Sequence, residues 1–264
     1  MKPAFLCLLL CCLCITAARA ESRGWDGSYE RLHFSIHWLF VPAGMAILEA
    51  RSPAPGRARF RLEACSNAAV DLVYRVRDLI RVESLRTDRG LQSLGYRFRQ
   101  HEGRHRNALT LDFLEPGRVR LTDHLATTTQ AFEVAPGTLD MVSAFFTTRA
   151  LPLHPGETYH LPVVDKDRHY TLSIDVLGRE RLDTLLGDDT PTVKIHPRLQ
   201  SEGVFKRSGE MYLWLTDDAR HLPVRMESRV RYGKVISELT GIYNQAITTP
   251  SRGLMCERLQ EGSQ

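Results

Sequence analysis

The stretch His-Glu-Gly-Arg-His at residues 101–105 matches the zinc-binding pattern His-Glu-x-x-His. On a helix, this spacing places two imidazoles on one face, where they hold zinc while the glutamate acts as general base. The residues around it alternate between apolar and polar, and Gly103 lies at its centre, so we predict an exposed hairpin tip. The alternative to this hairpin is a zinc-dependent hydrolase whose metal site is formed by His101, Glu102 and His105.

A second dense polar group lies in "LWLTDDARHLPVRM", residues 213–226, which contains two aspartates, an arginine and a histidine within five positions. Asp is favoured in turns because its carboxylate accepts backbone N–H bonds. Proline donates no ladder bond, so Pro223 is expected at the start of a return strand. We predict a hairpin with a polar turn, in which adjacent side chains point in different directions and form no catalytic triad.

Other signatures of catalysis are missing from the sequence. It contains no Gly-x-Ser-x-Gly elbow, no Walker loop and no dinucleotide-binding glycine fingerprint. Neither cysteine of the expected mature chain, Cys65 or Cys256, has neighbours typical of a nucleophile. We therefore predict no catalytic residues, no cofactor and no enzymatic activity.

The N-terminus has the features of a secretory signal peptide. Lys2 precedes an apolar run over 4–14, and Ala18-Arg19-Ala20 resembles a cleavage site. We expect residues 1–20 to be removed and the mature chain to be periplasmic. No later segment reaches the roughly 20 apolar residues of a membrane-spanning helix.

The expected mature chain has only two cysteines and little net charge. Four of the six cysteines lie in the leader, and a bridge between Cys65 and Cys256 stays open. The leader also holds two of the 35 basic residues and none of the 31 acidic ones, so the mature charge is close to balance. This balance argues against nucleic acid as a partner.

Period-two alternation dominates the rest of the chain. In "LHFSIHW", four apolar residues alternate with polar ones, which is typical of a half-buried strand. Turn residues recur at short intervals, so we expect twelve to fourteen strands paired as antiparallel hairpins. The fold class is mainly β, a single domain over 21–245, followed by a tail over 246–264 that we expect to be disordered.

Two helices are predicted. The clearer one covers residues 139–149, with Thr138 or Asp140 as its cap and Arg149 in its last turn, and a shorter one covers 66–73. A curved antiparallel sheet or open barrel, with one or two helices on its concave face, is the simplest arrangement. The concave face must be filled or occupied by a ligand. The predicted pocket residues are Phe34, Ile36, Trp38, Phe145, Phe146 and Trp214.

Five segments in order together resemble the domain-of-unknown-function 3108 family of exported bacterial proteins. They are "YERLHFSIHWLFVPAGMAILEA", "VDLVYRVRDLIRVES", "LDMVSAFFTTRALPLHPGETYHLPVVD", "VLGRERLDT" and "KIHPRLQSEGVFKRSGEMYLWLTDDARHLPVRMESRV". The resemblance implies a β-rich envelope protein with distant similarity to the open β-barrel carriers of lipoproteins and lipids. It implies no catalytic residues.

Three functions remain open at this stage. The leading hypothesis is a non-enzymatic envelope protein that binds a hydrophobic small molecule, a lipid or an envelope protein. The second is an assembly factor whose sheet edges pair with a partner strand. The third is the zinc hydrolase.

Overall fold

The structure is a computed structural model that describes residues 24–114, 117–201, 204–205, 210–230 and 233–245. The expected leader over 1–20 and the expected tail over 246–264 lie outside these residues. Cys256 lies outside them too, so a bridge between Cys65 and Cys256 stays open.

Sixteen strands form within the described residues, in agreement with a mainly β fold. In chain order they are β1 (Glu30–Trp38), β2 (Val41–Arg51), β3 (Arg57–Ser66), β4 (Arg77–Thr87), β5 (Gly90–Glu102), β6 (His105–Leu114), β7 (Arg118–Asp123), β8 (Thr128–Glu133), β9 (Leu139–Asp140), β10 (Thr158–Asp165), β11 (Arg168–Thr184), β12 (Gly187–Ser201), β13 (Val204–Phe205), β14 (Met211–Thr216), β15 (Pro223–Val230) and β16 (Gly233–Tyr243). The expected twelve to fourteen is too low because β9 and β13 have two residues each, too few to show alternation.

All sixteen strands belong to one sheet. Its order is β8-β7-β6-β5-β4-β3-β2-β1-β16-β15-β14-β12-β11-β10-β9, with β13 paired to β12 beside this path. The pairs are antiparallel except β9 with β10. The terminal strands β8 and β9 are not hydrogen-bonded to each other, so the sheet is open and not a closed barrel.

The open sheet curls over itself. Val164 of β10 is buried in one apolar cluster with Leu109 and Leu111 of β6 and Val119 and Leu121 of β7. Because β10 is far from β6 in strand order, this contact requires the β9–β10 side to lie against β6 and β7. We call the enclosed surface the inner face.

Two helices accompany the sheet, as predicted. Helix α1 (Ala68–Asp71) is shorter than the predicted 66–73 and begins after Asn67, whose side chain accepts the Val70 N–H bond. Helix α2 (Met141–Arg149) begins after Asp140, which confirms that residue as the cap. Val142 and Phe146 of α2 belong to the same buried cluster as Leu32 and Phe60 of the sheet, so α2 fills part of the inner face.

Successive turns of an antiparallel sheet lie at opposite ends. The turns after β1, β3, β5 and β7 lie at one end, which we call the mouth, and those after β2, β4 and β14 lie at the other, the base. Helix α2 lies in the base half, because Arg149 contacts Glu30 at the start of β1 and His221 in the turn before β15.

Candidate functional site

Burial along the inner face changes from base to mouth. At the base, Leu32 and Phe60 are buried beneath α2. Toward the mouth, Phe34 and Ile36 on β1 and Ile80 on β4 are only half-buried. An apolar surface that α2 leaves partly uncovered therefore begins two residues beyond Leu32, and it is the candidate binding site.

The C-terminal end of α2 is held by a buried ion pair. The Arg149 side chain is fully buried and donates to both carboxylate oxygens of Glu30, at 2.7 and 2.9 Å. Its Nε donates to the His221 carbonyl at 3.1 Å, and the His221 ring contacts the Arg149 carbonyl oxygen at 2.7 Å. A bidentate pair fixes orientation as well as distance, so this end of the helix is tied to both β1 and the β14–β15 turn.

The N-terminal end of α2 is held by a second buried network. One oxygen of Asp140 accepts the backbone N–H bonds of Val142 and Ser143, both at 2.9 Å, which caps the helix. The other accepts hydroxyl bonds from Ser93 of β5 and from Ser143. Burial raises the pKa of the Asp140 carboxyl, and these hydrogen bonds, which lower the pKa, offset the effect of burial only in part. Anchored at both ends, α2 is a fixed plug of the base.

Five of the six predicted pocket residues lie along the inner-face side of the fold. Phe34 and Ile36 are half-buried in the mouth half, and Phe145 is half-buried at the junction of two core clusters. Phe146 is fully packed, with its ring stacked on Phe60 at 4.0 Å between centroids. Trp38 is exposed and lies at the mouth itself.

Trp214 is buried in the same apolar cluster as Phe146, against which Phe34 and Phe145 also pack. It alternates along β14 with Leu213 and Leu215, which pack in a second apolar cluster, so its indole ring projects to the opposite side of the strand from theirs. There its indole N–H donates to Glu180 at 2.7 Å, and Lys194 and Arg225 lie over the ring. The indole bond and the Lys194 charge help to hold the pKa of Glu180 below its usual value.

The residues of the zinc pattern lie in a hairpin, not on a helix. Glu102 ends β5 and is paired with His105 at the start of β6, while His101 is paired with Arg106. His101 and Glu102 are adjacent in a strand, so their side chains point to opposite faces. Among the residues that the structure describes, no group of three or more potential metal ligands occurs.

Glu102 instead forms part of a carboxyl pair at the mouth. Its side chain hydrogen-bonds to Asp78 of β4, and Asp78 also accepts the His101 backbone N–H bond at 3.1 Å. Burial, together with the neighbouring Glu102, raises the pKa of Asp78 to about 7. Asp78 is therefore protonated in a large fraction of molecules near neutral pH.

A cavity of about 170 Å³ opens at the base, lined among others by Trp25, Arg86, Leu91 and Phe146. It is smaller than the several hundred Å³ of ordinary ligand sites. The Arg86 guanidinium lies over the Trp25 ring at 5.3 Å, which further closes it. This cavity is therefore a packing gap beside α2 and does not accommodate a lipid chain.

The polar turn in residues 217–222 is confirmed as a hairpin turn, with β15 beginning at Pro223. Asp218 accepts the backbone N–H bonds of Arg220 and His221. Sequence reasoning missed that His221 is buried against α2, and it missed the pairs Glu30–Arg149 and Asp78–Glu102. Each pair joins segments far apart in the sequence, so no local signal could reveal it.

The open, curled sheet with a helix inside defines a β-barrel-like protein. A solved structure of the same kind supports this class: the β-barrel-like protein of the domain of unknown function DUF1849 from Brucella abortus aligns with a TM-score of 0.56. The alignment covers 83% of this chain and 99% of that one at 9% identity, so it shows the fold alone.

Within this class, the chain belongs to the DUF3108 family of proteins of unknown function, whose model matches residues 33–240. No curated protein matches the chain significantly. Neither the family nor the solved structure carries the name of an enzymatic activity. In the described part of the chain, the helices are too short or too polar to cross a membrane.

Proposed function

We propose that this protein is a non-enzymatic binding protein that takes a hydrophobic, lipidic ligand along the mouth half of its inner face. The burial gradient is the main support: α2 covers the apolar surface of the inner face in its base half, whereas Phe34, Ile36 and Ile80 toward the mouth are only half-buried. Apolar surface left uncovered inside a curved sheet is a usual place for an apolar ligand. We further propose, from the leader, that it acts in the periplasm.

Polar groups at the mouth match an amphipathic ligand. Asp78, Glu102 and the hydrogen-bonded pair Gln100–Asn107 lie on adjacent strands just beyond the apolar surface. A ligand whose chain contacts Phe34 and Ile36 would bring its polar end among these groups. Amide and carboxyl groups then satisfy that end, while the chain leaves water.

The test is uptake of a fluorescent fatty acyl probe by the purified protein, with mass spectrometry of its solvent extract. Ile36→Gln places an amide on the inner face, and it should weaken probe binding about tenfold, as expected when one large aliphatic contact is lost. Ser35→Gln is the matched control, because the neighbouring residue points to the opposite face. Absence of extracted lipid and of probe uptake by the unmodified protein would refute the proposal.

Strand-edge pairing with an envelope protein is a second candidate function, and one observation favours it. Strand β8 ends the sheet, is paired only with β7 in the described residues, and has mostly exposed side chains. Such an edge can accept a partner strand. Crosslinking in intact cells followed by pull-down should then recover one dominant protein, and this recovery should be lost when Gln130→Pro blocks the edge.

A further inference from the structure

The mouth carries two exposed apolar segments. The β1–β2 turn presents Trp38, Leu39, Phe40 and Val41, and the segment after α1 presents Leu72, Val73 and Tyr74. Phe40 is 97% exposed, and Leu72 and Val73 are each 89% exposed. We call residues 38–41 and 72–74 the mouth rim. Such complete exposure of large apolar side chains at neighbouring sites is typical of an interaction surface.

Hydrogen bonds between residues that flank the two segments hold the segments close to each other. The backbone N–H of Asn67 donates to the Ala43 carbonyl at 2.9 Å, and its side-chain amide donates to the Pro42 carbonyl at 2.7 Å. The Asn67 carboxamide oxygen also caps α1, which leads directly into Leu72 and Val73. The mouth rim is therefore one structured surface.

The β1–β2 turn breaks the usual rule for turn residues. Two-residue hairpin turns favour Gly, Asn or Asp, because at least one residue has positive φ. Here Leu39 has φ of +57°, a conformation that costs a bulky residue energy. The backbone N–H of Leu39 donates to the Lys234 carbonyl at 2.8 Å, which holds the turn against β16. A strained apolar residue at an exposed turn indicates a requirement other than folding.

Gly233 provides the space for Leu39. A Cβ atom at Gly233 would lie 2.7 Å from Leu39 Cδ2, so a side chain there would displace the leucine. The glycine at the start of β16 thus allows the apolar turn to pack closely against its neighbour. The turn therefore has a fixed position, from which the Phe40 side chain projects into solvent.

Arginines border the apolar surface. Arg75 directly follows Tyr74, and its carbonyl accepts the Gly103 N–H bond at 2.8 Å, which brings the β5–β6 turn with Arg104 and Arg106 beside the mouth rim. All three arginines are exposed. The nearby acids are largely engaged: Asp71 is ion-paired with Arg77, and Asp78 is hydrogen-bonded to Glu102. The border is therefore positively charged.

We propose that the mouth rim docks onto the surface of a phospholipid bilayer that contains anionic lipids. Side chains of Phe, Leu and Val project from turn tips, where they can enter the headgroup region, and the bordering arginines attract anionic headgroups. Docking also turns the mouth of the inner face toward the bilayer. The binding event itself does not require the ligand proposed above, so the two proposals can fail separately.

The test is flotation of the purified protein with vesicles of phosphatidylcholine and phosphatidylglycerol. The unmodified protein should float with these vesicles, less with phosphatidylcholine alone, and less at high salt, because screening weakens the arginine contribution. The double variant Phe40→Ser/Leu72→Ser should lose at least about tenfold in partitioning, since two large apolar side chains no longer leave water. Both residues are exposed, so thermal unfolding should remain cooperative.

The matched control is Leu185→Ser/Leu186→Ser, which removes two exposed leucines from the β11–β12 turn at the base. It should float like the unmodified protein. Absence of flotation, or equal losses in the two double variants, would overturn the proposal. Sedimentation showing a dimer that Phe40→Ser/Leu72→Ser dissociates, without vesicle binding, would overturn it in favour of a second copy as the occupant. Probe uptake with Ile36→Gln reports on the inner face independently.

Discussion

Replacement of Arg149 with alanine tests the anchoring of α2 most directly. The fully buried guanidinium makes two bonds to Glu30 and one each to the carbonyls of His221 and Arg220. Arg149→Ala leaves a carboxylate that is only 13% exposed without its cation, and it removes a donor from both carbonyls. Loss of one partner of a buried pair costs about 3–5 kcal/mol, so we expect a decrease of that size in the free energy of unfolding.

The measurement is urea-induced unfolding followed by tryptophan fluorescence and circular dichroism. Arg181→Ala is the control, because Arg181 of β11 pairs with Asp189 of β12 where both side chains are well exposed, and such pairs contribute about 0–1 kcal/mol. Glu30→Gln should also destabilise. The double variant Glu30→Gln/Arg149→Met should be less destabilised than the sum of the single changes, since it leaves no unpaired buried charge.

Two outcomes would refute this reasoning. One is a decrease for Arg149→Ala no larger than that for Arg181→Ala, which would mean that the pair does not hold α2. The other is strict additivity in the Glu30–Arg149 cycle, which would mean that the two side chains are not energetically coupled.

Two further predictions concern the mouth. Leu39→Gly should raise the free energy of unfolding by about 1 kcal/mol, because glycine adopts the positive φ of this position without strain. Leu72→Gly is the control: Leu72 has φ of −64°, so glycine there relieves no strain, gives the unfolded chain more freedom and should lower the free energy of unfolding. Chemical denaturation measures both changes. The raised pKa of Asp78 means that the folded state binds a proton more tightly than the unfolded chain, so stability should fall as pH rises from about 4 through 7. Asp78→Asn should reduce this fall when the free energy of unfolding is measured at pH 5 and at pH 8. The control Asp188→Asn, at an exposed position of β12, should retain it.

Local patterns predicted most of the secondary structure. The alternation around Phe34 and Ile36 predicted a half-buried strand, because side chains of a strand point to opposite faces in turn. Local patterns placed the cap of α2 at Thr138 or Asp140, of which the structure has Asp140, and a strand start at Pro223, since both act on the backbone within a few residues. The same alternation also predicted which residues of β1 lie on the inner face.

Local patterns left the orientation of Trp214 open. Its strand is apolar on both faces, so alternation alone could not decide which face borders α2. The register with Lys194 and Arg225 decides it, and that register depends on strands separated in the sequence. Likewise, His-Glu-x-x-His has the spacing of a zinc site only on a helix, and the pairing of Glu102 with His105 in a hairpin removes that geometry.

The order of residue types specifies the elements of this protein: strands with one apolar face, polar turns and the capped helix α2. These depend on interactions within a few residues. The position of α2, which fills the base and leaves the mouth half of the inner face uncovered, follows only from long-range packing. That outcome depends on Arg149 meeting Glu30, 119 residues earlier in the chain, and on the curl that brings β10 against β6 and β7. Contacts of this kind arise only when the whole sheet is formed.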